Sequence, residues 1–260
     1  MESTSELLKF AHSYRSKILK NSLENSKGHI GSAFSVMDIL ISLKFCGLLQ
    51  DSKNHFVLSK GHAFQALRMV LELDNSKSKS DVSELLNSTH PSHMLRDIEF
   101  STGSLGQGIC FAAGLAYSHK YFTKTNSKIT CLISDAELNS GSTFETFQFI
   151  IQHNLDNLVI IIDNDGQQAL ERTVNVVDTK PFIDSLPRLG FKVINVDGHN
   201  FENLVECFSG LKFDLPTVIN CNSISGYPVT FMMKEILWHY KNVDLEEYNN
   251  AIRILEEYYA

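Results

Sequence analysis

Two carboxylates stand just past two apolar runs of the sequence. Asp135 follows the run 129–133, and Asp165 follows the run 158–162. If both runs are strands of one parallel sheet, their carboxyl ends meet at one edge and bring the two carboxylates together. Each alone is more typical of a helix cap or turn. As a pair with a main-chain carbonyl and waters, they predict a Mg²⁺ site that takes its remaining ligands from a diphosphate.

Two other apolar runs also end in polar residues. The run 56–58 is followed by Ser59-Lys60-Gly61-His62, and the run 217–221 by Asn222-Ser223. We expect these residues at the same edge as the two carboxylates. An imidazole there could move a proton or stabilise a developing oxyanion, although a lone histidine in a loop is usually structural.

The elements that position these residues are parallel βαβ units. Short apolar strands alternate with helical stretches near 142–154, 179–189 and 200–211, and each crossover is a dozen or more residues long. The strands lack polar alternation, which predicts helices on both faces of the sheet. A helix opens the chain, a loop is expected at 28–32, and an acidic helix at 244–258. We expect a single α/β domain over residues 1–260.

Composition excludes several classes of function. The chain has 23 basic and 30 acidic side chains and a net charge of −7, which argues against binding nucleic acid or an anionic membrane surface. Its longest apolar runs are too short to span a membrane, and the amino terminus lacks a signal-peptide pattern. The five scattered cysteines are typical of reduced core thiols. We therefore expect a cytoplasmic protein.

Six segments together resemble the amino-terminal, diphosphate-binding domain of transketolases, in order and spacing and over almost the whole chain. They are Gly28-His29-Ile30-Gly31, Ser59-Lys60-Gly61-His62, Ser101-Thr102-Gly103-Ser104-Leu105-Gly106-Gln107-Gly108, the segment 135–166, Val196-Asp197-Gly198-His199 and Trp238-His239. The eight-residue glycine-rich segment is the most specific of them. The resemblance is greatest to the separate amino-terminal subunit of a split transketolase.

The resemblance implies a site for thiamine diphosphate and Mg²⁺. Asp135, Asp165 and the main-chain carbonyl of Gln167 would bind the metal. Two histidines and one main-chain amide would contact the diphosphate, and a glycine-rich turn would lie against the aminopyrimidine. The diphosphate contacts would be His62, His239 and the amide of Ala136. The aminopyrimidine contacts would be Gly103, Ser104 and Leu105.

The resemblance also implies roles in catalysis. His29 and His62 would lie near the reacting carbons, His90 and His239 would contact the sugar with His29, and Glu145 would belong to a proton relay between subunits. Ser142 and Glu145 could equally form a capping box that opens a helix. In transketolases the glutamate that activates the cofactor belongs to a second, pyrimidine-binding domain. We expect that domain on a carboxyl-terminal partner subunit, in a heterotetramer acting on sugars or sugar phosphates.

The sequence departs from its family at four places. Ser134-Asp135-Ala136 replaces Gly-Asp-Gly, Asp165 replaces asparagine, Ser140 replaces a glutamate, and Ser225-Gly226-Tyr227-Pro228 replaces Lys-Gly-Lys-Gly. Ala136 is tolerable only with a negative φ. The added charge at Asp165 would cost about 4 kcal/mol at about 4 Å and an effective dielectric near 20, unless a cation such as Mg²⁺ offsets it.

Three functions are compatible with this sequence. The first is a split transketolase-like subunit that transfers a two-carbon ketol unit between sugars. The second is a subunit of a thiamine diphosphate-dependent 2-oxoacid dehydrogenase or decarboxylase, which the glycine-rich segment and Trp238-His239 argue against. The third is a cofactor-free structural or regulatory subunit, as the departures from the family pattern would allow.

Overall fold

Five parallel strands form a sheet in the computed structural model, which describes residues 4–49, 54–72, 88–95 and 97–260. The strands are β1 (His55–Leu58), β2 (Ile129–Ser134), β3 (Leu158–Asn164), β4 (Lys192–Asp197) and β5 (Thr217–Asn222). Their order is β1-β2-β3-β5-β4, and every neighbouring pair is parallel. All five carboxyl ends therefore lie at one edge, as the sequence predicts.

Helices cover both faces of the sheet. Those of the described residues are α1 (Thr4–Asn25), α2 (Ile30–Ser35), α3 (Met37–Phe45), α4 (Phe64–Val70), α5 (Gln107–Ser118), α6 (Gly141–Gln152), α7 (Thr173–Val176), α8 (Lys180–Leu189), α9 (Phe201–Ser209) and α10 (Leu245–Tyr259). Within the described ranges, every helix is too short or too polar to span a bilayer.

Successive side chains of each strand enter two separate cores, because they point to opposite faces of the sheet. Val159 and Ile161 pack with α1, α3, α4, α9 and α10, whereas Ile160 and Ile162 pack with α5, α6 and α8. The predicted α/β fold with helices on both faces is thus confirmed. β4 lies at one edge of the sheet and is mostly half-buried, unlike the central strands.

One predicted loop is partly helical. The sequence indicates a loop at 28–32, but α2 begins at Ile30, directly after His29, whose φ is 60°. A left-handed backbone is uncommon for a residue other than glycine. It turns the chain sharply between α1 and α2, so that His29 lies at the start of a buried helix. The five cysteines carry no disulfide, as expected.

Candidate active site

The two candidate metal-binding carboxylates lie at the ends of adjacent strands. Asp135 opens a 3₁₀ helix (Asp135–Asn139) after β2, and Asp165 follows β3, whose Asp163 pairs with Ser134 across the ladder. Both carboxylates are buried. Burial, together with the charge of Asp165, raises the pKa of Asp135 to about 7. The structure therefore brings the two carboxylates together at the predicted edge.

Each carboxylate is held by short hydrogen bonds. Thr173 Oγ1 donates to Asp135 Oδ2 at 2.6 Å, and the amide of Ala136 donates to Asp135 Oδ1 at 2.9 Å. The amide of Gln167 donates to Asp165 Oδ1, also at 2.9 Å. Their orientation is thus fixed by residues that follow β2 and β3. Among the described residues, no group of three or more His, Cys, Asp or Glu side chains forms a metal shell by itself.

A lysine offsets the charge of Asp165. The ammonium of Lys60 is buried 2.5 Å from Asp163 Oδ2 and 2.9 Å from Asp165 Oδ2. Burial alone would lower the pKa of Lys60, but Asp163 and Asp165 outweigh it and raise that pKa. An internal cation therefore offsets part of the charge of Asp165, and Asp163 shares that cation.

Four histidines from distant parts of the sequence form one cluster beside this charge group. The ring centroid of His29 lies 5.5 Å from that of His62, 5.9 Å from that of His90 and 5.0 Å from that of His239. The rings of His62 and His239 are 5.1 Å apart. The structure thus assembles all four histidines that the sequence analysis named.

The cluster favours neutral imidazoles. Burial, together with His90 and Lys60, lowers the pKa of His29 to about 4. Burial and the charges of His29 and Lys60 lower the pKa of His239 to about 4 as well. Burial and Lys60 also hold the pKa of His62 well below its usual value, and burial lowers that of His90. Near neutral pH these rings therefore act as hydrogen-bonding groups.

The glycine-rich turn packs closely against the backbone of Gly61 and the ring of His90. A Cβ added to Gly61 would lie 2.9 Å from main-chain atoms of Thr102 and Gly103, and one added to Gly103 would lie 2.7 Å from the His90 ring. Only glycine fits such close approaches. Ser104 and Leu105 are exposed in the turn before α5, while Gly103 is half-buried beside His90.

Glu137 fastens this turn to the sheet. Its buried carboxylate accepts hydrogen bonds from Ser59 Oγ at 2.5 Å, the amide of Gly106 at 3.0 Å and the amide of Ser134 at 2.9 Å. Burial raises its pKa, and the three donors oppose that shift. One side chain thus connects the ends of β1 and β2 to the glycine-rich segment.

Two of the family departures have a simple local explanation. Ala136 lies in the 3₁₀ helix and has a negative φ, so its methyl group causes no strain. Tyr227 stacks on His199 with ring centroids 3.9 Å apart and hydrogen-bonds to Tyr258. Tyr227 therefore packs between α10, near the end of the chain, and the loop that follows β4.

Glu145 lies outside the histidine cluster. It is exposed on α6, next to the exposed ring of Phe144. The predicted capping box with Ser142 is wrong, because α6 begins at Gly141, which places Ser142 inside the helix, and Ser142 Oγ donates instead to the carbonyl of Gly106 at 3.2 Å.

Sequence reasoning assigned no role to three residues that organise the site. Lys60, Thr173 and Glu137 contact residues 25 or more positions away, apart from the local bond of Glu137 to Ser134. The position of Lys60 after an apolar run was the available signal for it. Thr173 had none, because it lies in a polar segment between two strands.

Comparison with known proteins agrees with this geometry. The family described as "Transketolase, thiamine diphosphate binding domain" matches residues 15–249. This chain belongs to the transketolase family. A crystal structure of transketolase from Campylobacter jejuni superposes with a TM-score of 0.82 at 21% identity, covering 98% of this chain and 43% of that one. At this identity, the similarity establishes the fold.

Two curated relatives differ in how much of their length is matched. One subunit of the apulose-4-phosphate transketolase of Phocaeicola vulgatus is 28% identical, with 94% of this chain and 91% of the relative covered. Human transketolase is 32% identical, with 90% of this chain but only 39% of that protein covered. This transketolase-family chain therefore covers less than half of human transketolase but most of the Phocaeicola vulgatus subunit.

Proposed function

We propose that this chain is the thiamine diphosphate-binding subunit of a two-component transketolase-like enzyme that transfers a two-carbon ketol unit between sugars. The observation that carries the proposal is that two groups of side chains lie side by side at one edge of the sheet. One is the pair Asp135 and Asp165, and the other is the four-histidine cluster. Lys60 interacts electrostatically with both groups. The similarity in length and sequence to one subunit of the Phocaeicola vulgatus enzyme supports a two-component assembly.

The residues present fit thiamine diphosphate and Mg²⁺. Asp135 and Asp165 offer the carboxylate oxygens that Mg²⁺ prefers, and a diphosphate would complete its ligands with the carbonyl of Gln167. Within the described residues, the buried His29 Nδ1 has no hydrogen-bond partner. Such unpaired buried polar atoms are expected where a ligand belongs. The turn at Gly103–Leu105 would contact the cofactor, and the amide of Ala136 would do so on leaving Asp135, to which it donates in this structure.

Thiamine diphosphate, when bound, supplies the nucleophilic carbon for ketol transfer. The chain's own residues would bind and orient the reactants. The neutral rings of His29, His62 and His239 can donate a hydrogen bond to a sugar oxygen that gains negative charge, and accept one from a hydroxyl group. His90, next to Gly103, would contact the sugar hydroxyls.

An apolar surface on α5 and α6 provides a place for the partner subunit. Aromatic rings near the end of α5, on α6 and on the π-helical turn His119–Thr123 lie together: the half-buried Tyr117 ring is 5.4 Å from the exposed Phe149 ring and 5.8 Å from the exposed Phe122 ring. Phe144, near the start of α6, is also exposed. Exposed apolar patches of this kind mark interaction sites. We propose that the carboxyl-terminal subunit, with its pyrimidine-binding domain and activating glutamate, docks here to form a cytoplasmic heterotetramer.

Cofactor binding by the chain alone is the first test. Calorimetric titration with thiamine diphosphate should give Mg²⁺-dependent binding, and Asp135→Asn should weaken it at least about tenfold by removing a metal ligand. Asp184→Asn, which alters an exposed carboxylate on α8, is the matched control and should bind as the wild type does. A wild-type chain that binds no cofactor would support a structural or regulatory subunit instead.

Turnover with the partner is the second test. The chain and a co-expressed carboxyl-terminal subunit should convert ketose donors together, and neither should do so alone. Size-exclusion chromatography with light scattering should give the mass of two copies of each subunit. Turnover of 2-oxoacids without turnover of ketoses would contradict the transketolase assignment and favour a dehydrogenase or decarboxylase subunit.

A further inference from the structure

Lys60 is an internal cation at the centre of the charge group. Its side chain is 2% exposed, and its ammonium contacts both Asp163 and Asp165. Asp163 is fastened in turn by Ser35 Oγ at 2.7 Å and by the hydroxyl of Ser223. The ammonium therefore has a fixed position beside the two carboxylates.

The charges of this group can be counted. Three buried carboxylates, Asp135, Asp163 and Asp165, and one ammonium, Lys60, give a formal net charge of −2 when all are ionised. A single divalent cation neutralises that charge. Without Lys60 the same cation would leave one negative charge facing a diphosphate, and buried charges that remain uncompensated are costly.

We infer that Lys60 sets the net charge of this site, and that Lys60 and Asp165 act as one neutral pair that lets an aspartate serve where the cation and the diphosphate meet. Lys60 is thus a positioning residue that acts through Asp165. This inference rests on the proposed function.

The affinities for Mg²⁺ and for thiamine diphosphate should change in opposite directions when the charge of the site changes. Lys60→Gln removes a cation, so Mg²⁺ should bind more tightly while thiamine diphosphate at saturating Mg²⁺ binds more weakly. Asp165→Asn removes an anion, so both changes should reverse. The double variant restores the charge of −2 and should bring both affinities back towards the wild type. If Lys60 had a purely structural role, the loss of affinity caused by Lys60→Gln would instead add to the loss caused by Asp165→Asn.

The experiment uses the full chain at one fixed pH, chosen above the raised pKa values of Asp135 and Asp165. The rise of the melting temperature Tm with Mg²⁺ concentration gives the metal affinity, and calorimetry gives the thiamine diphosphate affinity. We expect shifts of about tenfold for each single variant and recovery to within about threefold for the double variant. Lys44→Gln, which alters an ion pair with Glu72, is the control lysine.

Two results would overturn the inference: a double variant that binds either ligand no better than the weaker single variant, or a wild-type Tm that does not respond to Mg²⁺. If Lys60→Gln fails to fold, Asp165→Asn against the double variant decides. Roughly tenfold tighter Mg²⁺ binding by the double variant supports the pair, and equal or weaker binding overturns it. Wild-type chain that binds Mg²⁺ but no thiamine diphosphate refutes the proposed function separately.

Discussion

The hydroxyl of Thr173 donates a 2.6 Å hydrogen bond to Asp135 Oδ2, linking α7 to the end of β2. Both side chains are buried. The bond holds one carboxylate oxygen in place. The remaining lone pairs of the carboxylate stay available to a cation. Thr173 therefore supports the candidate metal site from a helix that follows β3.

Removing this hydroxyl should weaken the metal site. A hydrogen bond to a charged group contributes about 1.5–3 kcal/mol, so Thr173→Val should raise the Mg²⁺ concentration needed for half-maximal thiamine diphosphate binding by about tenfold or more. Thr173→Ser keeps the hydroxyl and should restore most of the affinity. Equal binding by the valine and serine variants would contradict this role.

The histidine cluster should make the fold sensitive to acid. The pKa values of His29 and His239 fall from 6.5 in the unfolded chain to about 4 in the fold. Their stabilising contribution is complete above pH 6.5 and is lost as the pH falls towards 4, because the unfolded chain takes up protons that the pocket excludes. Urea unfolding over this range should show the decline.

The variant His29→Gln/His239→Gln should flatten that decline. Proton NMR of the wild-type chain offers a direct check, since the C2–H resonances of both rings should titrate near pH 4. Titration of either ring near its usual pKa of 6.5 would contradict the neutral cluster.

Gly114 provides a steric probe of the proposed docking surface. It lies on α5, and a Cβ added to it would meet no atom within 4 Å. Gly114→Ala should leave assembly intact and stabilise the free chain by up to about 1 kcal/mol through helix propensity. Gly114→Trp should keep the fold but abolish co-elution with the partner subunit. Normal assembly of the tryptophan variant would move the interface elsewhere.

The buried ion pair of Arg15 and Asp38 should be essential for stability. Arg15 donates to both carboxylate oxygens of Asp38 at 2.7 and 2.9 Å, and also to Tyr259 Oη at 2.7 Å. Asp38→Ala leaves the guanidinium buried without a counter-charge and should lower the free energy of unfolding by about 3–5 kcal/mol in urea denaturation. Asp184→Ala, at an exposed pair, should leave it nearly unchanged.

Most of the fold follows from local patterns in the sequence. Runs such as 129–133 and 158–162 are apolar and rich in β-branched residues, and their spacing requires parallel crossovers. The placement of Asp135 and Asp165 follows from the same rule, since residues past parallel strands meet at one edge. The short helix α2 was missed because its start depends on the left-handed backbone of His29.

The charge group could not be predicted in the same way. Lys60 is separated from Asp163 and Asp165 by more than a hundred residues, and a lysine in a loop ordinarily indicates a solvated surface. Its burial depends on the order in which β1, β2 and β3 lie in the sheet. The histidines were named through the family resemblance, since periodicity and spacing do not indicate that His29 and His239 would touch.

The contact between Ser32 and His239, whose side chains lie 3.5 Å apart across 207 residues, bears on how the protein matures. As the chain leaves the ribosome, β1, β2 and β3 can pair well before the last helix has been synthesised. The pocket must wait for both ends of the chain to meet. Nascent chains cut short before Trp238 would therefore retain the carboxylates but lack one side of the histidine cluster.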